Sequence, residues 1–531
     1  MSPVVLVADK VDAGGLALLE QSPGLDVVKA IKNPAKFKEA LPQAQALLVR
    51  SETKVTAEML AQAPQLRVIG RAGIGVDNID VEEATRRGIA VFNAPGGNTV
   101  SAAEHTIGLL LALVRKIPWA DASMRRGEWD RQRFLGTELR GKTVGIVGLG
   151  RIGAHVATLA RAFGMSVLAY DPYVTEARAR ELQVELLPLD QLLPRADVVS
   201  LHLPLTKETR SLIDRRRIGQ MKAGAVLLNC ARGGLVDEEA LLEALEQGRL
   251  AGAAIDVFET EPLPADSPLR RTDRVILTPH LAASTAEAQE QVSLEICRIV
   301  RDALLRGNLS GAVNLPGVSG ATLARLQPLL ELARRLGRFA AALAPGRVES
   351  IEVQYGGTDQ GAQRVVQLAA VEGALGAMGV GPVTLVNAAS LAEGRGIALG
   401  GRTGAPEPGF ETTVEVKLGS AAGGTSVVGA LAGDEGHIVR INGFAIDIPP
   451  EGHILVLKNR DVPGVIGRVG TVLGEAQVNI GAYHLSRRTQ RGQEALSAVA
   501  VDHPPPPHVL ERLASLKDVL DVKLANLNGM A

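Results

Sequence analysis

Cysteine is almost missing: the 531 residues hold two, Cys230 and Cys297. Two thiols cannot build a disulfide framework, and such sparing use fits a reducing compartment. An excess of charge of either sign is missing as well, because 57 Lys and Arg against 58 Asp and Glu leave a net charge of −1. That balance gives no general electrostatic reason to expect nucleic acid or an anionic membrane as partner, so any anion binding must be local. Long apolar runs are absent too. The most apolar helix candidate, Thr106 to Val114, falls far short of the roughly 20 residues that span a bilayer. The chain opens almost at once on the strand pattern PVVLVAD, without the basic start and cleavage site of a secretory signal. The expectation is a cytoplasmic protein. No repeat long enough for a solenoid occurs, and no metal-ligand set is read from the chain. What remains is ordinary globular composition, 46% hydrophobic and 22% charged, long enough for three or four domains at roughly 100 to 200 residues each.

The chain is organised around Val144 to Asp171, VGIVGLGRIGAHVATLARAFGMSVLAYD. An apolar run leads into Gly148, Gly150 and Gly153 in G-x-G-x-x-G spacing, then a helical stretch, a second apolar run and an acidic residue. The first glycine lets the strand turn sharply, the second lets backbone approach a pyrophosphate, and the third lets helix and strand pack closely. The phosphates of a dinucleotide would face the free N–H groups at a helix start. Asp171 follows Gly153 by 18 positions, near the spacing at which a carboxylate accepts from the adenosine ribose hydroxyls. It would repel a 2′-phosphate, so NAD is expected rather than NADP.

Residues 1–97 alternate apolar runs with helical segments: VVLVAD, ALLVR at 46–50, RVIG at 67–70 and IAVFNAP at 89–95. This is the pattern of a small parallel α/β domain. Ligands of such sheets lie at the carboxyl ends of strands, here the turns RSETKV at 50–55 and GRAGIGVDNID at 70–80. Ser101 and Glu104 have capping-box spacing and are expected to open a helix running to about Arg115. His105 then falls in its first turn and reads as a packed or capping histidine. The stretch GEWDRQRFLG at 127–136 reads as a solvated basic loop.

Further strand-like runs follow at 196–204, 225–233, 252–259 and 275–280, each ending in polar residues. Parallel packing of these beside Val144 to Val147 would gather His202, Arg232, Asp256, Glu261 and His280 at one sheet end. A helix from Ala286 to about Leu305 and a Gly/Asn/Pro-rich linker, Gly307 to Val318, come next. Beyond them a helical segment at 321–343 precedes strands of alternating polarity, SIEVQY, TTVEVKLG, TSVVGALAG and HIVRINGFAIDI, suggesting a half-exposed sheet. After Pro449 and Pro450 the last 80 residues follow the order βαββαβ, which is ferredoxin-like.

Oxidising an alcohol with NAD requires a base for the hydroxyl proton. His280 suits that role, since imidazole titrates near neutrality and a carboxylate such as Glu261 can orient it. Arg232 offers a two-pronged grip on a substrate carboxylate. Taken singly, each could instead be a surface ion-pair residue or a satisfied structural histidine.

NCARGG at 229–234, DVFETEP at 256–262 and LTPHLAAST at 277–285, after GLGRIG, resemble the signature set of D-2-hydroxyacid dehydrogenases. RSETKVT, GRAGIGVDNID and NAPGGNTVSAAEHT most resemble the members that oxidise 3-phospho-D-glycerate to 3-phosphooxypyruvate, the first step of phosphorylated serine synthesis, and the likeness covers essentially the whole chain. RINGFAIDIPP resembles the intervening domain of the long form of those members, and the final segment resembles an ACT domain, a small ligand-sensing module. The resemblance implies an α/β fold of two Rossmann-like doubly wound parallel-sheet domains, an α+β intervening domain and a ferredoxin-like ACT domain. The expected boundaries are 1–97 with 288–315 for substrate, 98–287 for NAD, 316–450 intervening and 451–531 ACT.

By the same resemblance Arg232, Glu261 and His280 are catalytic. Gly148, Gly150, Arg151, Ile152, Gly153, Asp171, Leu203, Cys230, Ala231, Arg232, Asp256, His280, Leu281, Ala282 and Ala283 surround NAD, Asp256 accepting from the nicotinamide carboxamide. Leu203 stands where some members have threonine, so one cofactor hydrogen bond is expected to be missing. Cys230 adjoins the site as a small packed residue. Arg50, Arg71, Gly73, Ile74, Gly75 and Asn98 would contact 3-phosphoglycerate, with Arg131 reaching in from a neighbouring subunit of a homodimer or homotetramer. L-Serine would be the effector, held by Asn459, Asp461, Pro463, Gly464 and Asn479, the alternative being that Asp461 only caps the next helix. The competing readings are a dehydrogenase for another D-2-hydroxy acid, such as glycerate or 2-hydroxyglutarate, and an NAD-sensing scaffold.

Overall fold

The computed structural model describes residues 2–315, 325–359, 361–487 and 494–528. Short apolar runs buried on both faces make the inner strands of its first two sheets, as parallel strands require, while the edge strands at 26–29 and 185–186 stay partly exposed. The first contains β1 (Val4–Val7), β2 (Asp26–Lys29), β3 (Ala44–Val49), β4 (Val68–Arg71) and β5 (Ala90–Asn93), in the order β2-β1-β3-β4-β5. The second contains β6 (Thr143–Val147), β7 (Ser166–Tyr170), β8 (Glu185–Leu186), β9 (Val198–Leu201), β10 (Ala225–Asn229), β11 (Leu250–Ile255) and β12 (Val275–Leu277). Its order, β12-β11-β10-β9-β6-β7-β8, reverses direction between β6 and β9. Doubly wound sheets bind ligands at such a switch point, beyond the carboxyl ends of the strands.

Two helices carry the chain between these sheets. Thr99–Val114 leaves the first sheet and packs on the second. Ala286–Arg306 returns, packing on Ala13–Glu20 and β4 through Val292, Ile296 and Val300. Asp12, Thr56, Asp80, Thr175, Asp214, Asp237 and Thr285 each cap a helix with a side-chain oxygen. Ser101 does not. The helix begins at Thr99, so Ser101 is already inside it and its hydroxyl donates back to the Asn98 carbonyl at 3.1 Å. The expected capping box with Glu104 is therefore absent, and His105 lies in the second turn, not the first.

The third sheet, β14-β13-β15-β16-β17-β18, is made of β13 (Val348–Gly356), β14 (Ala398–Gly404), β15 (Thr413–Ser420), β16 (Gly423–Ala432), β17 (Glu435–Ile441) and β18 (Phe444–Ile448). One face is covered by the helices Gln327–Leu343 and Ala362–Ala377, which bury Leu336, Phe339, Val366 and Ala370. Positions 321–324 of the expected first helix lie outside the described residues. The fourth sheet, β20-β21-β19-β22, joins β19 (His453–Arg460), β20 (Ile480–Arg487), β21 (Glu494–Val501) and β22 (Val519–Asn526), all antiparallel. With the helices Val465–Glu475 and Pro507–Ala514 it gives the βαββαβ order. Among the described residues no helix is long and apolar enough to cross a membrane.

The start of the expected linker is not loose. Asn314 accepts from the Val91 N–H at 3.0 Å and donates to Thr85 Oγ1 and the Ile89 carbonyl, both at 2.9 Å, while Ala312 and Leu315 are buried. The helical layer of the third sheet also touches the first domain, where Thr384 Oγ1 donates to the Gly88 carbonyl at 3.2 Å.

Candidate active site

Three turns of the second sheet converge beyond its carboxyl ends. After β6, Gly148 has φ 100°, a backbone conformation that side chains rarely adopt. Gly150 precedes the helix Arg151–Ala162, and a Cβ there would meet none of the described residues within 4 Å. A Cβ on Gly153 would fall 2.0 Å from the Gly148 carbonyl oxygen. A sharp turn, an open approach to a helix start and a close helix–strand crossing are what a dinucleotide pyrophosphate needs. At the end of β7, Asp171 accepts from the N–H groups of Leu149 and Tyr173, both at 2.9 Å, which fixes its carboxylate beside the glycine turn. Arg151 is exposed, and Ile152 and Leu203 are half-buried. His202 turns away to Ser200 Oγ at 2.9 Å, and burial pushes its imidazole down to about 4.

The β10 turn carries Cys230, Ala231 and Arg232. Burial pushes the Cys230 thiol up to about 12, so it is neutral and inert. Arg232 donates through Nε to Asp77 Oδ2 at 3.0 Å and through Nη1 to the Ala231 carbonyl at 2.6 Å. Asp77 belongs to the first domain, so this ion pair crosses the cleft.

The β11 and β12 ends hold the remaining groups. Asp256 has no exposed surface. Its Oδ1 accepts from Thr278 Oγ1 at 2.6 Å and the Leu281 N–H at 2.8 Å, and its Oδ2 accepts from the Ala282 N–H at 3.0 Å. Burial opposes its charge, but hydrogen bonds from His105, Thr278 and Leu281 outweigh that and hold the carboxyl below the usual range. His280 is forced to φ 55° and is held there by N–H bonds to the Asp256 and Thr278 carbonyls at 2.9 and 3.0 Å. Its Nδ1 lies 2.9 Å from Glu261 Oε2. Glu261 Oε1 accepts from the Phe258 N–H at 3.0 Å. Burial raises the Glu261 carboxyl, but His280 and Phe258 together hold it below the carboxylate range. Nδ1 thus faces a carboxylate and Nε2 is left for chemistry.

The first domain supplies cations. Asp9, buried at the end of β1, accepts from the Arg50 and Thr53 N–H groups at 2.6 and 3.1 Å and so shapes the turn bearing Arg50. Arg71 donates through Nε to Asn78 at 3.2 Å. Burial, then the nearby Arg232, pull its guanidinium down to about 10. Arg71 thus lies close enough to both Arg232 and Arg50 to be repelled by each, an arrangement suited to an anion. Gly73 and Gly75 let two of them lie flat: a Cβ on Gly73 would sit 2.1 Å from Arg71 Nη1, and one on Gly75 would sit 2.1 Å from Arg232 Nη2. The Ile74 carbonyl accepts from Asn93. Among the described residues the buried Asn98 Oδ1 finds no hydrogen-bond partner.

Not every expected residue joins this set. Arg131 stands on the exposed loop after the helix Ile117–Arg125 and, among the described residues, shares no hydrogen bond or ion pair with the site. In the fourth sheet, Asn459 is turned inward, its Nδ2 donating to the Arg460 carbonyl and its Oδ1 accepting from Ser497. Asp461 does not cap a helix; it lies 3.4 Å from Arg487 Nε, and Gly464 opens the helix with φ 89°. Pro463 lies in that exposed turn, and Asn479 donates to Asp502 at 2.9 Å. The sequence reading missed Asp77, Asn78 and Asp9, although the first two lie inside the quoted motif GRAGIGVDNID. It also took His105 for bland packing, whereas His105 Nε2 reaches Asp256 Oδ1 at 3.3 Å.

Fold and site together define an NAD-dependent oxidoreductase of the D-isomer specific 2-hydroxyacid dehydrogenases, whose NAD binding domain model matches residues 107–282. The D-3-phosphoglycerate dehydrogenase intervening domain matches 325–442 and the ACT domain 453–518. Similar proteins include the D-3-phosphoglycerate dehydrogenase of Synechocystis, 41% identical over 98% of this chain and 94% of that protein. That of Mycobacterium tuberculosis is 43% identical over 99% of each. The chain belongs to the D-3-phosphoglycerate dehydrogenase family. Among solved structures, the D-lactate dehydrogenase of Aquifex aeolicus, complexed with NAD and lactic acid, shares 33% identity over 58% of this chain and 96% of that one, with a TM-score of 0.51.

Proposed function

We propose that the chain oxidises 3-phospho-D-glycerate to 3-phosphooxypyruvate as the first step of phosphorylated serine synthesis. The observation that carries this reading is the convergence of an imidazole–carboxylate pair with three arginines from two domains. NAD, when bound, accepts the hydride from the carbinol carbon. Gly148, Gly150 and the start of the helix Arg151–Ala162 would hold its pyrophosphate, Asp171 its ribose, and the turn 280–283 its nicotinamide side. Arg232 grips the substrate carboxylate and draws electron density toward the oxygen on C2. Arg50, Arg71 and the N–H groups of 73–75 take the remaining negative charge, with Asn98 beside them. His280 Nε2 removes the hydroxyl proton, and Glu261 balances the imidazolium that results. Asp256, with no exposed surface and its oxygens engaged by Thr278, Leu281 and Ala282, acts through the turn it shapes.

The division of labour proposed follows the sheets: 1–97 with 288–315 for substrate, 98–287 for NAD, 316–450 and 451–531 for regulation. L-Serine would bind at the turn 461–464 with Asp461 on its ammonium, and Asn479 nearby. A cytoplasmic homodimer or homotetramer is proposed. Its support is a run of exposed apolar side chains around the Arg131 loop, Met124 at 53%, Trp129 at 77% and Leu135 at 80% exposure. A spectrophotometric assay of NADH formation tests the activity. Turnover with NAD and 3-phosphoglycerate is expected, and His280→Ala should lower kcat by about 100- to 10,000-fold while NAD still binds. Preference for 2-hydroxyglutarate or glycerate, or NAD binding with no turnover, would overturn the reading.

A further inference from the structure

We infer that His105 is a positioning residue, fastening Asp256 and Thr278 to the helix Thr99–Val114 and thereby fixing the turn that aims His280. The inference rests on the proposed role of His280. It starts from a bonding problem. Asp256 is a carboxylate with no exposed surface, at the end of β11, and a buried charge must be met by donors. Three of its donors, Thr278 Oγ1, the Leu281 N–H and the Ala282 N–H, come from the same turn, 278–282. Donors from one turn shape that turn around the carboxylate but add no other element to the cluster.

His105 brings in another element. It comes from the helix that leads out of the first sheet and packs on β10, β11 and β12. Its Nε2 lies 3.3 Å from Asp256 Oδ1 and 3.4 Å from Thr278 Oγ1. Thr278 spends its own hydrogen on Asp256 at 2.6 Å, so its oxygen can only accept from the ring. Nε2 therefore carries hydrogen and is shared between a carboxylate and a hydroxyl.

His280 needs such anchorage because its backbone lies at φ 55°, a conformation costly for a side-chain-bearing residue. One of the two N–H bonds holding it there goes to the Asp256 carbonyl, so a shift of Asp256 is passed directly to His280. Among the described residues the ring of His280 has one partner, Glu261, at Nδ1. Its direction in the cleft follows the backbone of the turn. Losing the His105 hydrogen should loosen that direction while the glycine turn still holds the pyrophosphate, Asp171 the ribose and the arginines the anion, so that cofactor binding is reached only through the nicotinamide contacts of 280–283.

Steady-state oxidation of 3-phosphoglycerate by NAD, NADH binding by fluorescence and thermal melting on H105L, H105N, H105Q and H280A test the inference. H105L and H105N should lower kcat about tenfold or more, with KM values and NADH Kd within about threefold of wild type. H105Q, whose amide nitrogen reaches about as far as the imidazole Nε2, should recover kcat to within about threefold of wild type. Wild-type kcat in H105L overturns the inference, as does H105Q impaired as deeply as H105N, which would mean that the ring only fills space. Should H105L fail to fold, the Gln and Asn variants decide. Full activity in H280A would instead remove the reading of His280, an outcome separate from either.

Discussion

Replacing Gly75 by alanine puts a methyl group where two domains meet. The new Cβ would lie 2.1 Å from Arg232 Nη2 and 2.5 Å from Asp77 Oδ2. Neither contact can stand, and of the groups involved the guanidinium is the most easily moved. Gly75 has an ordinary backbone angle, so the fold itself should accept alanine, and the cost falls on the position of Arg232. A displaced guanidinium loses one or both of its charge-assisted bonds to the substrate carboxylate, at about 1.5–3 kcal/mol each. That corresponds to a fall in kcat/KM of about 10- to 150-fold for a single lost bond. Initial rates over a range of 3-phosphoglycerate at saturating NAD would read it. Cofactor affinity, measured by NADH fluorescence, should not change, because the glycine turn after β6 is untouched. The control is Gly73→Ala, which crowds Arg71 Nη1 at 2.1 Å and should raise KM more than it lowers kcat. A Gly75→Ala enzyme with kcat/KM within about threefold of wild type would show that Arg232 is not held by this approach, and the reasoning would fail.

Three further outcomes follow from the same geometry. Asp171→Ala should weaken NAD binding and narrow the gap to NADP in paired kinetic assays; a wild-type enzyme that already uses both equally would remove Asp171 from cofactor choice. Asp256 and Glu261 are both held below the ordinary carboxylate range, so each adds stability that is fully present above that range and is lost as pH falls through the lowered values. The melting temperature should therefore begin to fall below the ordinary imidazole value of 6.5, where only the unfolded chain protonates His202, and fall further below the carboxylate range, with Asp256→Asn flattening part of that lower drop. Calorimetry should give heat on adding L-serine to wild type and none with Asp461→Ala; heat from both would move the effector away from the Asp461 turn.

Much of this molecule is legible in its sequence because local rules wrote it. Apolar runs ending in polar turns gave β1, β3, β4, β5 and the strands of the second sheet other than the two-residue β8, since a strand buried on both faces has little freedom in composition. The three glycines after β6 each have a separate steric reason, so their spacing carries the nucleotide turn by itself. Where local signals are weak the reading fell short. β14, ALGGRTG, has three glycines and is a strand only because β13 pairs with it in parallel. Ser101 and Glu104 have the spacing of a capping box, yet the helix starts two residues earlier, at Thr99, and spacing alone cannot say which residue stands outside it.

The site divides along the same line. The residues of single turns could be picked out, but the bonds between turns could not. Arg232 and Asp77 are 155 positions apart, and His105 and Thr278 are 173 apart. Nothing in the spacing of Asp77 tells it from a solvated aspartate, and nothing about His105 tells it from a packed one. What selects His105 is burial of a charge, and what selects Asp77 is the approach of the two sheets. Asp256 at the end of β11, with no exposed surface, must be neutralised by whatever the neighbouring helix can offer, whereas Arg232 and Asp77 keep contact with solvent and pair because the cleft brings them together. Both pairings arise only after the two sheets have faced each other. The same closure that creates them also gathers the arginines, so the pairs hidden from the sequence are those that join one domain's chemistry to the other's.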